Sequence, residues 1–277
     1  MISEEGSGLR LAQEYYYWAS YSPTSRYLVQ QVARLDCSFP KAKISASPCR
    51  YFEYSAAAAV QLPTQPAVAF PSSLHTSPTH SCVTPLDLST ALGSTPFPAT
   101  SPNLLASFIT VIPDSAPLIT DPSATSQLFY VIRGSGATAG AGGLSVEWAQ
   151  GDVFTVPGCS GALSHIATAA ASLYWVHDSP LLQYLGVAPT APTFAPAVYK
   201  REELQGKVEE ISHQPGAEHR NRMGVLLAHE TTEGETKTIT RVLWALLNTL
   251  PPRTAQPPHR HNSVALDLCV SAAPGQV

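Results

Sequence analysis

Short apolar runs cut by Gly, Pro, Asp and Ser set the reading of residues 104–187. Residues 104–112, 127–132, 144–148, 152–156 and 171–176 are rich in β-branched and aromatic residues between turn signals, which predicts five strands. No long amphipathic helix falls between them, so the pattern predicts an all-β sandwich or barrel. Upstream, residues 48–105 are Ala, Ser, Thr and Pro with short apolar pieces such as 67–70, suited to brief strands and loops. Downstream, Pro189, Pro192 and Pro196 lead into residues 200–211. There Leu204, Val208 and Ile211 fall at i, i+4 and i+7 and predict a charged helix, read as a linker. Residues 224–228 and 239–250 return to β character. Residues 25–35 have roughly helical spacing after Ser22-Pro23-Thr24, and the aromatics Tyr15, Tyr16, Tyr17 and Trp18 are expected to cover a core edge.

The run Gly134-Ser135-Gly136-Ala137-Thr138-Ala139 follows a strand and fits the GxGxxA form of a dinucleotide loop. That fingerprint requires a helix next, with a βαβ crossover. The next residues are the alternating 144–148 and then Gly151-Asp152, so the nucleotide reading fails. A glycine-rich hairpin loop is expected instead.

Composition narrows the function classes. Charged residues make up 13% of the 277, and hydrophobic residues 44%; Ala, Ser, Thr and 25 prolines fill the difference. The net charge of −4 and a pI near 6.1 give no basis for a nucleic-acid or acidic-membrane partner. The five cysteines, Cys37, Cys49, Cys82, Cys159 and Cys269, are odd in number and hold no CxxC, so buried thiols in a reducing compartment are expected. The start, Met1-Ile2-Ser3-Glu4-Glu5, lacks the apolar core of a signal peptide, and no apolar run is long enough to span a bilayer. A cytoplasmic protein is the expectation. Neither GxSxG nor HExxH occurs, so hydrolase readings have no support.

The strongest chemical signal is Pro257-Pro258-His259-Arg260-His261, followed by the alternating 264–268. On a strand, His259 and His261 project to the same side, about 7 Å apart at Cα. Two neutral imidazoles aimed at one point begin a divalent transition-metal site; a solvated turn is the plain alternative. The other histidines carry weaker signals. His75 and His80 read as surface loop residues, His177 beside Asp178 as a surface pair, and His213, His219 and His229 as solvated.

The two β regions resemble cupins, small double-stranded β-helix barrels whose first motif is Gly, five residues, HxH, three or four residues, Glu, six residues, Gly. In the first region that frame falls on Ser115, Asp121, Ser123, Gln127 and Gly134. Only the last keeps the family residue. The second motif starts at Gly151 and Pro157, but its histidine position is Ala162, and the nearest imidazole, His165, is three residues late. The resemblance therefore implies a first barrel without a metal, where Asp121, Ser123 and Gln127 either line a polar pocket or act as filler. In the second region the frame falls on His259, His261, Ala265 and Ala272. HRH followed by Ala is similar to gentisate 1,2-dioxygenases, bicupins that open an aromatic ring with Fe(II) and O2. Those enzymes carry an Arg two residues past that Ala to receive a substrate carboxylate; here the residue is Asp267, which repels one.

The resemblance lays out an N-terminal extension over 1–47, a first barrel over 48–187, a helical linker over 188–222 and a partial second barrel over 223–277. The expectation is a bicupin with a truncated second barrel: a truncated product, a fragment, or a subunit completed by a partner such as a second copy. His259 and His261 would hold a divalent transition metal, Fe(II) first, facing a small organic molecule. A turn at 262–264 would bring Asp267 in as a third ligand, completing a 2-His-1-carboxylate set. A straight strand would place it roughly 20 Å from His261. Two functions follow: a protein related to Fe(II)-dependent ring-cleaving dioxygenases, or a non-catalytic cupin that binds or scaffolds.

Overall fold

The computed structural model describes residues 50–58, 67–93, 96–220, 222–250 and 263–271. The expected helix at 25–35 and the aromatics at 15–18 lie outside these residues. The chain divides into two units, Met1–Leu62 and Pro63–Val277. In the first, the helix Tyr54–Ala58 begins where the Glu53 carboxylate accepts from the backbone N–H of Ser55 and Ala56.

The second unit is mostly antiparallel β. Its strands are β1 Cys82–Pro85, β2 Leu105–Val111, β3 Leu118–Thr120, β4 Ser126–Ala139 and β5 Ser145–Ala149, then β6 Val153–Pro157, β7 Leu163–His177, β8 Ala197–Tyr199, β9 Met223–Leu227 and β10 Ala245–Thr249. Eight of them form one sheet in the order β1-β2-β7-β4-β6-β8, with β3 added to β7 and β5 to β4. β9 and β10 pair separately.

Two long strands, β4 and β7, carry the architecture. One end of β7 pairs with β2 and the other with β3; one end of β4 pairs with β6 and the other with β5. Register shifts in β4 between Val131 and Gly136 bend the pair at its middle. A single apolar cluster then collects Ile109 and Val111 of β2, Phe129 and Val131 of β4, and Trp148 of β5. Phe154 and Val156 of β6 and Leu173 and Trp175 of β7 complete it. Strands from both halves feed one core, so the sheet curves around it. The opposite face is buried too. There Phe108, Tyr174 and Val176 meet Leu204 of the helix Arg201–Ser212, Leu227 of β9, and Ile239 and Leu243.

The five predicted strands all form, but two are longer than their patterns implied. The residues expected to make a glycine-rich hairpin loop, Gly134 to Ala139, are the second half of β4. Close approach explains their composition. A Cβ on Gly136 would stand 2.1 Å from the Ile166 carbonyl oxygen and 2.6 Å from the Trp148 ring. The 67–70 stretch, read as a brief strand, is irregular, and the short helices Ser73–Thr76 and Ser89–Leu92 were not anticipated. The predicted helix is present as Arg201–Ser212 with Leu204 buried.

Asp152 ties that helix to the sheet. Its carboxylate accepts from Lys200 Nζ at 2.7 Å, from the N–H of Arg201 at 3.0 Å and from the N–H of Ala149 at 3.0 Å. Burial pushes its pKa up, but the Lys200, Arg201 and Ala149 bonds and the Lys200 charge together outweigh it and hold the pKa below the usual carboxylate value. Asp152→Ala is expected to cost about 2 kcal/mol in urea unfolding, because two backbone N–H groups lose their acceptor.

Candidate functional site

The core of the curved sheet ends in two polar clusters. At one end, His165 is fully buried, and both its ring nitrogens are engaged. Nε2 lies 2.9 Å from Thr120 Oγ1, and Nδ1 2.8 Å from Thr138 Oγ1. Trp148 Nε1 donates to the same Thr138 hydroxyl at 2.9 Å. Burial lowers the His165 pKa to about 4, so the ring is neutral.

At the other end, Gln127 of β4 stands directly across from His177 of β7, and Phe129 across from Trp175. Trp175 Nε1 donates to Gln127 Oε1 at 3.2 Å, and the His177 ring packs on Trp175 with centroids 4.5 Å apart. His177 Nδ1 accepts from the Ser179 N–H at 3.3 Å. Burial lowers its pKa to about 4 as well. Ser107, opposite Trp175 on β2, has a buried hydroxyl without a partner among the described residues. Between the two ends, Phe129 stacks on Phe154 at 4.5 Å and on Trp175 at 5.9 Å, filling the middle with parallel rings.

This placement corrects several sequence expectations. His177 is 3% exposed rather than a surface residue. Its neighbour Asp178 turns the other way and accepts from the N–H groups of Thr125 and Ser126 and from the Thr125 hydroxyl. The signal was available: Leu173, Trp175 and His177 alternate, so the strand extends one residue past the predicted end and carries the imidazole inward. His75 is buried against Phe108, and His229 is buried with its Nδ1 accepting from the Thr231 N–H. His80, His213 and His219 are exposed, as the sequence suggested. Cys82 is half-buried, and Cys159 and Cys269 are exposed, so none of the described thiols is the core residue expected.

Among the described residues the first-motif frame brings no metal-ligand set together. Asp121 and Ser123 are exposed, Gln127 is bound to Trp175, and His165 is closed by two threonines. These residues do not fit an iron ion. Among the described residues no group of three His, Cys, Asp or Glu has metal-site spacing. His259 and His261 lie outside the described residues. Asp267 is exposed, between Leu266 and Leu268, which pack on the outer-face cluster. Burial pushes the Tyr174 pKa up to about 12, and the Asp267 carboxylate adds to this.

A groove of about 630 Å³ runs along the helix Arg201–Ser212 and β9. Its floor is Val225, Leu226 and Leu227, and its rim carries Glu203, Lys207, Glu230 and Glu233. No helix among the described residues is long and apolar enough to cross a membrane.

No protein-family model matches the sequence, and no curated protein matches it. Among solved structures, salicylate 1,2-dioxygenase from Pseudoaminobacter salicylatoxidans is similar over 45% of this chain and 31% of its own, at 18% identity and a TM-score of 0.32. Its adduct with gentisate gives 18% identity and the same score, over 45% of this chain and 30% of that one. A protein from Neisseria meningitidis is similar over 28% of this chain and 75% of its own, at 15% identity and a TM-score of 0.24. The chain thus spans under a third of the length of the dioxygenase chains it resembles.

Proposed function

We propose that the curved sheet is a non-catalytic, cupin-type barrel that scaffolds a protein on the plan of Fe(II)-dependent ring-cleaving dioxygenases. His259 and His261 are then the metal-binding pair of the chain, with Asp267 or a second copy supplying a third donor. The observation that carries the scaffold reading is the filled interior. Phe129, Phe154 and Trp175 fill the interior with stacked rings, and Gln127 is bound to Trp175. The HRH-then-Ala spacing carries the metal reading. Fe(II) held there would supply O2 activation and a bidentate seat for a small organic acid or phenol.

Metal analysis of untagged protein is the test. Near-stoichiometric iron or manganese is expected in the wild type and should be absent from His259→Ala/His261→Ala. A folded, metal-free wild type would leave the second reading, a cupin-type binding or structural protein without catalysis. The packed interior favours that reading for the described barrel.

A further inference from the structure

Strand register sets Cys82 opposite Thr110, Thr110 opposite Ser172, and Ser172 opposite Arg133, a polar row across β1, β2, β7 and β4. The next row on the same face is Phe108, Tyr174 and Tyr130, so the polar row interrupts an otherwise apolar layer. The short helix Ser73–Thr76 roofs it. The His75 ring rests on Phe108 with centroids 4.7 Å apart. Its carbonyl accepts from Ser172 Oγ at 2.9 Å and from Arg133 Nη2 at 3.2 Å. Arg133 Nε donates to Ser172 Oγ at 2.9 Å.

These bonds leave donors over. Among the described residues Thr110 Oγ1 and His75 Nδ1 are both buried without a partner, and Arg133 Nη1 takes part in none of these bonds. Among the described residues no carboxylate lies within 4.0 Å of the guanidinium. Burial first, and the Arg133 charge second, lower the His75 pKa and favour the neutral ring. Leaving buried polar atoms unpaired costs more than a hydrogen bond returns, so a fold rarely keeps two under one roof without an occupant. A guanidinium, a hydroxyl and a neutral imidazole whose Nδ1 donates in one of its two tautomers, with no acid among them, match an acceptor that carries negative charge.

We propose that this row is a binding site for a small oxyanion, a single carboxylate or phosphate group, held by Arg133 with Thr110 and His75 as the neutral donors. Both neutral donors are closed to solvent, so the Ser73–Thr76 segment must lift to admit the ligand, which limits it to a small group. The site lies on the face of the sheet away from the core and is independent of the metal reading of His259 and His261.

Thermal unfolding of the intact chain in inorganic phosphate, and separately in acetate, each against sodium chloride at matched ionic strength, tests it. The expected result is a saturable rise in the wild-type midpoint in at least one arm. A rise in phosphate alone assigns the site to phosphate groups; a rise in both shows that a carboxylate suffices. Arg133→Gln should abolish the response, and Thr110→Val should weaken it about tenfold. Thr110→Val removes a hydroxyl that has no partner among the described residues, so it is expected to fold even if Arg133→Gln does not. A wild-type midpoint that follows ionic strength alone, or a Thr110→Val protein that responds like the wild type, overturns the proposal.

Discussion

Lowering the pH from 7 to 4 is expected to remove about 5 kcal/mol of folding stability, most of it between pH 6.5 and 4.5. His165 and His177 are buried as neutral rings with pKa values lowered from 6.5 to about 4. In the unfolded chain each takes up a proton near pH 6.5; in the folded chain each resists until about pH 4. Across that window the unfolded state binds more protons, so stability falls as the pH falls. His75, lowered in the same direction, adds to the slope. Asp152, whose carboxyl is held below its usual value, acts in a lower window and sharpens the loss only as the pH drops past about 4. For His165 the cause is burial itself: the ring is fully enclosed, and charging it there forfeits hydration. The measurement is the urea-unfolding free energy at pH 7, 6, 5 and 4.5. His165→Gln and His177→Gln should each flatten the pH slope by about one proton, whatever they do to stability at pH 7. A slope near zero between pH 6 and 5 would show that the two rings are hydrated or charged in the folded state.

How these histidines came to be buried also shows what a sequence of this kind discloses. The β pattern between residues 104 and 176 was legible because short alternating runs need little context. Leu105–Val111, Ser145–Ala149 and Val153–Pro157 lie within a residue of their predicted limits. Strand length was not legible where glycine intervened. Gly134 and Gly136 read as a loop, yet they allow β4 to continue against Ile166, Ala170 and Trp148, contacts that local sequence does not encode. The same limit hid the site. His177 looked exposed because it sat next to Asp178 at a strand end, although the period-two pattern with Leu173 and Trp175 already placed it inward. His75 looked exposed because its neighbours are Ser, Thr and Pro; only the register of four strands beneath it gives it a buried face. The His259–His261 pair, the clearest signal in the sequence, lies outside the described residues, so its evidence remains the spacing itself.

Trp175→Ala is expected to cost about 3–5 kcal/mol and to open a cavity that binds a small aromatic molecule. Trp175 is 5% exposed and makes three kinds of contact: offset stacking on Phe129, a tilted contact with His177, and an indole N–H bond to Gln127. Removing it withdraws the transfer free energy of one of the two tryptophans in the core and leaves a void that rings on β4 and β6 cannot fill. It also strips Gln127 Oε1 of its donor. The void would thus be lined by the Phe129 ring and by the freed Gln127 Oε1. Indole matches that shape and restores the lost N–H bond. Adding it should raise the midpoint of the variant and leave the wild type unchanged, since only the variant offers room. The experiment bears on function as well as stability. The scaffold reading of the curved sheet holds that its interior is closed because Trp175 and its stacked partners fill it. A wild-type protein that itself binds indole, with a saturable shift in midpoint, would mean that the interior opens in solution. The barrel would then be a binding site in its own right.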